Sequence, residues 1–131
     1  MREILFRGKD WSRKIWTYGG IRRCGGCYEI LPEKGPCNVT VYKDTIGQFT
    51  GLTDKNGTKI FEGDIVHMNS KKFQLSGHGI VVYRNGGFSI DDRKRNRLYP
   101  FMQNGQYNAG DYRVDGNVHD NPELLEVRHA E

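Results

Sequence analysis

The chain has 131 residues, 36% of them hydrophobic and 27% charged, with a formal net charge of +4 and a pI near 9.0. That leaves room for one compact fold with a modest core and argues against a disordered chain. No stretch approaches the roughly 18 consecutive apolar residues of a membrane span. The N-terminus lacks the apolar run of a signal peptide, and the odd count of three cysteines does not suit a secreted disulfide framework. A cytoplasmic protein without a membrane partner is the expectation.

Taken in order, Arg2–Arg7 alternates as a short strand, with Ile4 and Phe6 on one side. Ile15–Tyr18 reads as a second strand closed by Gly19-Gly20. Arg22–Cys27 reads as a turn, Tyr28–Leu31 as a strand before Pro32, and residues Glu33 to Pro36 as a loop. Val39, Val41 and Ile46 suggest a further extended segment. Gln48–Leu52 and Thr58–Phe61 flank Asn56-Gly57, whose preference for positive φ predicts a type I′ hairpin. Glu62-Gly63-Asp64 then reverses the chain into Ile65–Met68.

A polar loop over Asn69–His78 leads to Gly79–Tyr83, the most apolar strand, and Asn85-Gly86-Gly87 predicts a second hairpin into Phe88–Ile90. Asp91–Arg97 is a charged loop and Asn104–Gly110 a polar connector. Tyr112–Val114 with Val118 is a last strand, and Asn121–Glu126 is a short helical turn with Pro122 at its start. Short strands with glycine at each corner imply a small barrel or roll.

Four separated blocks carry a family resemblance: Met1–Ile4 with Phe6-Arg7; Gln48–Gly57 followed by Ile60–Val66; the Gly79–Val81 to Gly87-Phe88 hairpin; and Gly116–Val118 with Asn121–Leu125. Together they resemble the YopX family, small proteins of bacteriophages and prophages. The resemblance implies a mainly β fold: an SH3-like β-roll or barrel with additional N-terminal strands and a short C-terminal helical turn. One domain would cover residues 1–131, with N-terminal strands and loops in 1–47 and the roll and C-terminal segment in 48–131. It implies no reaction.

The sharpest chemical feature is Cys24-Gly25-Gly26-Cys27, which departs from the family pattern. Two thiols spaced this way can share a metal ion, form a small disulfide, or be merely structural. Zinc is the candidate metal, with Cys37 a third ligand and His67, His78 or His119 a fourth. Asp54–Gly57 has the wrong glycine spacing for a calcium loop. Arg93, Lys94, Arg95 and Arg97, with Arg84, form a candidate nucleic-acid-binding loop in which Tyr99 and Phe101 could stack bases. A solvated charged loop is the plainer alternative.

No Gly-x-Ser-x-Gly elbow, His-Glu-x-x-His helix or phosphate-binding Gly-Lys-Ser/Thr loop is present. Glu62 and Asp64 suit a tight turn better than paired acid–base work. Trp11, Trp16, Tyr18, Tyr28, Phe49, Phe61, Tyr83 and Phe88 are expected in the core or between subunits. Through Arg23 the chain carries Arg2, Arg7, Lys9, Arg13, Lys14, Arg22 and Arg23 against Glu3 and Asp10. From Asp111 onward six acids face only Arg113 and Arg128. This asymmetry suits attraction between the two ends, either within one molecule or head-to-tail between molecules. A non-enzymatic phage or prophage accessory protein is expected, acting through a host or phage protein and as a homo-oligomer, with a nucleic-acid-binding regulator as one alternative and an enzyme with an unrecognised site as the other.

Overall fold

The computed structural model describes residues 3–33, 35, 37–71, 74–102 and 105–125. Met1 and Arg2 of the opening block, Pro36, Asn104, and Glu126, Arg128, His129 and Glu131 of the C-terminal reading lie outside them. The chain is mainly β and antiparallel, as expected, and divides into two compact units, one up to residue 51 and one from residue 52.

In the first unit the strands are β1 (Phe6–Lys9), β2 (Trp16–Cys24), β3 (Cys27–Pro32), β4 (Val39–Val41) and the start of β5 (Gly47–Thr53). Their order is β4-β3-β2-β1-β5. The strand expected to stop at Gly19-Gly20 runs on to Cys24. The reason is close approach: a Cβ on Gly19 would lie 2.0 Å from the Leu31 carbonyl oxygen, so glycine here lets β3 draw near and does not break the strand. The turn is thereby reduced to Gly25-Gly26, with Cys24 directly opposite Cys27.

The second unit holds the end of β5, β6 (Lys59–Phe61), β7 (Asp64–Ser70), β8 (Leu75–Arg84), β9 (Gly87–Asp92), β10 (Arg97–Pro100) and β11 (Tyr112–Asn117). The last five form a sheet of order β10-β9-β8-β7-β11. The alternating inner residues Val66, Met68, Val81 and Ile90 meet Ile60 and Phe101 in the core, with Tyr107 and Tyr112 stacked beside them at 5.4 Å. The expected C-terminal turn is a 3-10 turn at Pro122–Leu125.

Two turns differ instructively. Asn85 (φ 55°) and Gly86 (φ 82°) both take positive φ and close the expected type I′ hairpin. At Asp54–Thr58 only Gly57 does, at 82°. There Gly57 N–H reaches Asp54 O at 3.0 Å, and the loop is a type I turn followed by a left-handed glycine. The Asp54 side chain decides this. Its carboxylate accepts from the N–H groups of Asn56 (2.9 Å), Thr58 (2.9 Å) and, 60 residues away, Val114 (2.8 Å). The expected loop at Asn69–His78 is also shorter, because β7 and β8 stay paired as far as Ser70 and Leu75.

Burial raises the Asp54 carboxyl, but the N–H groups of Val114, Thr58 and Asn56 together bring it below its ordinary value. We expect Asp54→Ala to cost about 3 kcal/mol of stability and Asp54→Asn roughly half that, since the amide retains one acceptor. Urea unfolding of the three proteins measures the difference; equal midpoints would show that the carboxylate is dispensable.

Candidate functional site

Of the aromatic side chains expected in the core or between subunits, two in the first unit are exposed. Trp11 is 57% exposed and Tyr18 44%, with Ile15 and Leu31 also exposed. Trp11 lies in the turn after β1, and that turn is rigidly built. The buried Asp10 carboxylate accepts from the N–H groups of Ser12 (2.8 Å) and Arg13 (3.0 Å) and from Arg13 Nε (2.8 Å). The Arg13 and Ser12 contacts hold its carboxyl well below the usual carboxylate range, although burial opposes them.

Trp11 N–H donates to the Thr40 carbonyl at 2.9 Å, and its ring meets Tyr42 edge-on at 6.4 Å. A cleft of about 560 Å³ opens between Trp11, Arg13 and Val39. A second, of about 520 Å³, runs past Trp16, Tyr18 and Pro32. Arg13 and Val39 line both, so the two are halves of one surface. Beside it the Arg7 guanidinium lies 4.6 Å above the Trp16 ring.

In the second unit the expected basic loop divides by its partners. Arg95 is tied to the fully buried Asp92 at 2.8 Å and to the Ser76 carbonyl at 3.0 Å. Arg84 pairs with Asp91 at 3.4 Å. Arg93, Lys94 and Arg97 are exposed and make no ion pair among the described residues. Arg93 and Lys94 line a cleft of about 420 Å³ with His78, Glu123 and Leu124. Phe101 is buried and Tyr99 packs against the core, so neither is offered to a base. Tyr83 is the aromatic left exposed on this sheet.

One constellation was invisible in the sequence. His67 and His78 face each other across β7 and β8, rings 5.3 Å apart, and Arg113 on β11 is the cross-strand neighbour of His67. Asp115 is the extra residue where the β11 register slips between Val114 and Gly116. It accepts from His78 Nε2 at 2.7 Å and from Arg113 Nε and Nη2 at 2.6 and 3.1 Å. Strand register, not spacing along the chain, makes this row. The carboxylate only accepts, so this contact places a proton on His78 Nε2. No hydroxyl among the described residues hydrogen-bonds to that ring.

Asp64 is buried and accepts the Phe61 N–H at 2.7 Å, tightening the corner at Gly63 (φ 92°). Cys24, Cys27 and Cys37 are exposed free thiols. Cys24 and Cys27 begin at one end of β3, whereas Cys37 follows its other end, roughly 17 Å away at 3.3 Å per residue. Among the described residues no group of three or more His, Cys, Asp or Glu could hold a metal ion, so the three thiols are not gathered for zinc. Nor is any helix there long and apolar enough to cross a membrane.

The family model described as "YopX protein" matches residues 6–126. Among solved structures, protein EF1440 from Enterococcus faecalis is 26% identical and superposes with a TM-score of 0.60, over 96% of this chain and all of that one. Protein yopX from Bacillus subtilis is 21% identical with a TM-score of 0.57, over 98% of this chain and all of its own, a likeness of fold. No curated protein matches significantly.

The histidine row predicts how stability varies with pH. Burial, with the Arg113 and His78 charges, lowers the His67 pKa below its ordinary value. The neutral ring is therefore favoured in the fold, and its contribution is complete above about pH 6.5 and lost as pH falls below it. The Arg113 hydrogen bonds, helped by His78, bring Asp115 down to about 2. Its contribution is complete above about pH 3.9 and lost as pH falls through 2. His67→Gln should remove the first decline and spare the second, as read from urea midpoints between about pH 1.5 and 8.

Proposed function

Since the chain belongs to the YopX family, we propose that it is a non-enzymatic accessory protein of a bacteriophage or prophage that works in the host cytoplasm by binding another protein. The observation that carries this reading is the Trp11–Arg13–Tyr18 surface of the first unit. Tryptophan, tyrosine and arginine are the residues most often responsible for binding energy at protein interfaces. Here they surround two adjoining clefts, and Asp10, Thr40 and Tyr42 already hold the Trp11 turn in place. A preformed surface loses little conformational freedom on binding, which favours affinity.

A second copy of the chain is one partner this surface can take, and the basic N-terminal and acidic C-terminal segments support self-association. Nucleic-acid binding is the second reading, favoured by the exposed Arg93, Lys94 and Arg97. It has weaker support, because the nearby Tyr99 and Phe101 are engaged in the core. An enzymatic reading has the His78–Asp115 pair beside a cleft in its favour, but no hydrogen-bonded nucleophile among the described residues.

Affinity-tagged protein expressed in host cells should capture a defined phage or host protein, or a second copy. Trp11→Ala should weaken that complex about thirtyfold, the effect of losing an interface anchor. The exposed position keeps the variant folded, which circular dichroism checks. Binding unchanged by Trp11→Ala and Tyr18→Ala would remove this surface from consideration. Retention on single-stranded DNA or RNA that falls steeply with salt and depends on Arg93 and Lys94 would favour the second reading.

A further inference from the structure

We propose that Cys24 and Cys27 form a reversible dithiol–disulfide site at the tip of the β2–β3 hairpin. The proposal rests on register and stands apart from the partner-binding reading. Cys24 is paired directly with Cys27 across a two-residue loop, so both side chains leave the same face of the hairpin. Directly opposed residues of antiparallel strands have Cα atoms about 4.5–5.5 Å apart. A disulfide accepts about 4.4–6.8 Å between Cα atoms, so the opposed pair lies within its range, and closing the bond needs side-chain rotation with a small approach of the two Cβ atoms at the hairpin tip.

The loop favours the same geometry. Gly25 has φ 64° and Gly26 is not in the positive-φ region, the pattern of a type II′ turn with glycine in its first position. Behind the thiols, Arg22 and Glu29 make the next pair on that face and are joined at 2.6 Å, which keeps the strands in register up to the tip. Both thiols are exposed, and a Cβ added at either glycine would meet nothing within 4 Å, so an oxidant has free access. Cys37, beyond the far end of β3, is excluded from the pair by distance.

The oxidant class is a low-molecular-weight disulfide such as oxidised glutathione. One cysteine thiolate attacks a glutathione sulfur, forming a mixed disulfide and releasing one glutathione thiolate, which takes up the proton the cysteine lost. The second cysteine, as its thiolate, attacks the protein sulfur of that mixed disulfide, closes the Cys24–Cys27 bond and expels the other glutathione, which is likewise protonated. Two electrons pass from the cysteine sulfurs to glutathione: two thiols and one glutathione disulfide give one protein disulfide and two reduced glutathiones.

The test titrates the full chain against oxidised and reduced glutathione, quenches by alkylation and maps peptides by mass. The expected result is the coordinated loss of two of the three thiols, a peptide lighter by two hydrogens joining Cys24 to Cys27, and Cys37 alkylated throughout. Cys37→Ser should oxidise like the parent. Cys24→Ser should stop at a glutathione adduct on Cys27. A bond involving Cys37, covalent dimers as the main product, or glutathione adducts on Cys24 and Cys27 without ring closure would each overturn the proposal.

Discussion

Reversals in a β protein leave backbone N–H groups without strand partners, and buried ones must find an acceptor. This chain meets that demand with aspartate. Asp10, Asp54, Asp64 and Asp92 are all almost wholly buried, and each accepts at least one nearby backbone N–H. Asn117 does the same for His119 and Asp120 after β11. A buried carboxylate is costly unless it is fully hydrogen-bonded, so these turns tolerate little alternative geometry. The strands inherit their register from them, and the exposed surfaces inherit their shape. The Trp11 turn stands on Asp10, and the wall of the cleft at Arg93 and Lys94 stands on Asp92 and Arg95.

The same chemistry explains what was legible in the sequence. Alternation revealed most strands, and Asn85-Gly86 revealed its turn, because backbone preference alone decides there. At Asn56-Gly57 the local preference lost to Asp54, which binds a strand 60 residues away that no local pattern can display. Gly19 is ambiguous in sequence because glycine signals both a chain break and a close approach, and only the position of Leu31 separates the two. The His67–His78–Asp115 row could not be seen at all. It requires β8 to begin before His78, where the sequence is polar enough to resemble a loop, and it requires a register slip in β11.

The candidate surfaces followed a related division. Arg93, Lys94 and Arg97 are exposed as their charge suggests, yet Arg84 and Arg95 spend theirs on Asp91 and Asp92. Conversely, Trp11 and Tyr18 look like core residues by type and lie outside by position. Composition identifies which residues can supply binding energy, whereas exposure depends on which face of a strand or turn each one occupies. The family blocks concentrate on turns such as Asp54–Gly57 and Glu62–Asp64, so they identify the fold more readily than an activity.

The register of β11 slips by one residue at Asp115. Before it, Val114 faces Val66; after it, Asn117, and not Gly116, faces Asp64. A regular strand would have brought Gly116 to that place, with no side chain to hold the turn that Asn117 holds through His119 and Asp120. The supernumerary Asp115 meanwhile projects toward His78. One added residue thus serves both sides of the sheet. The phase of this strand is a matter of chain length, the one variable that exchanging side chains leaves untouched.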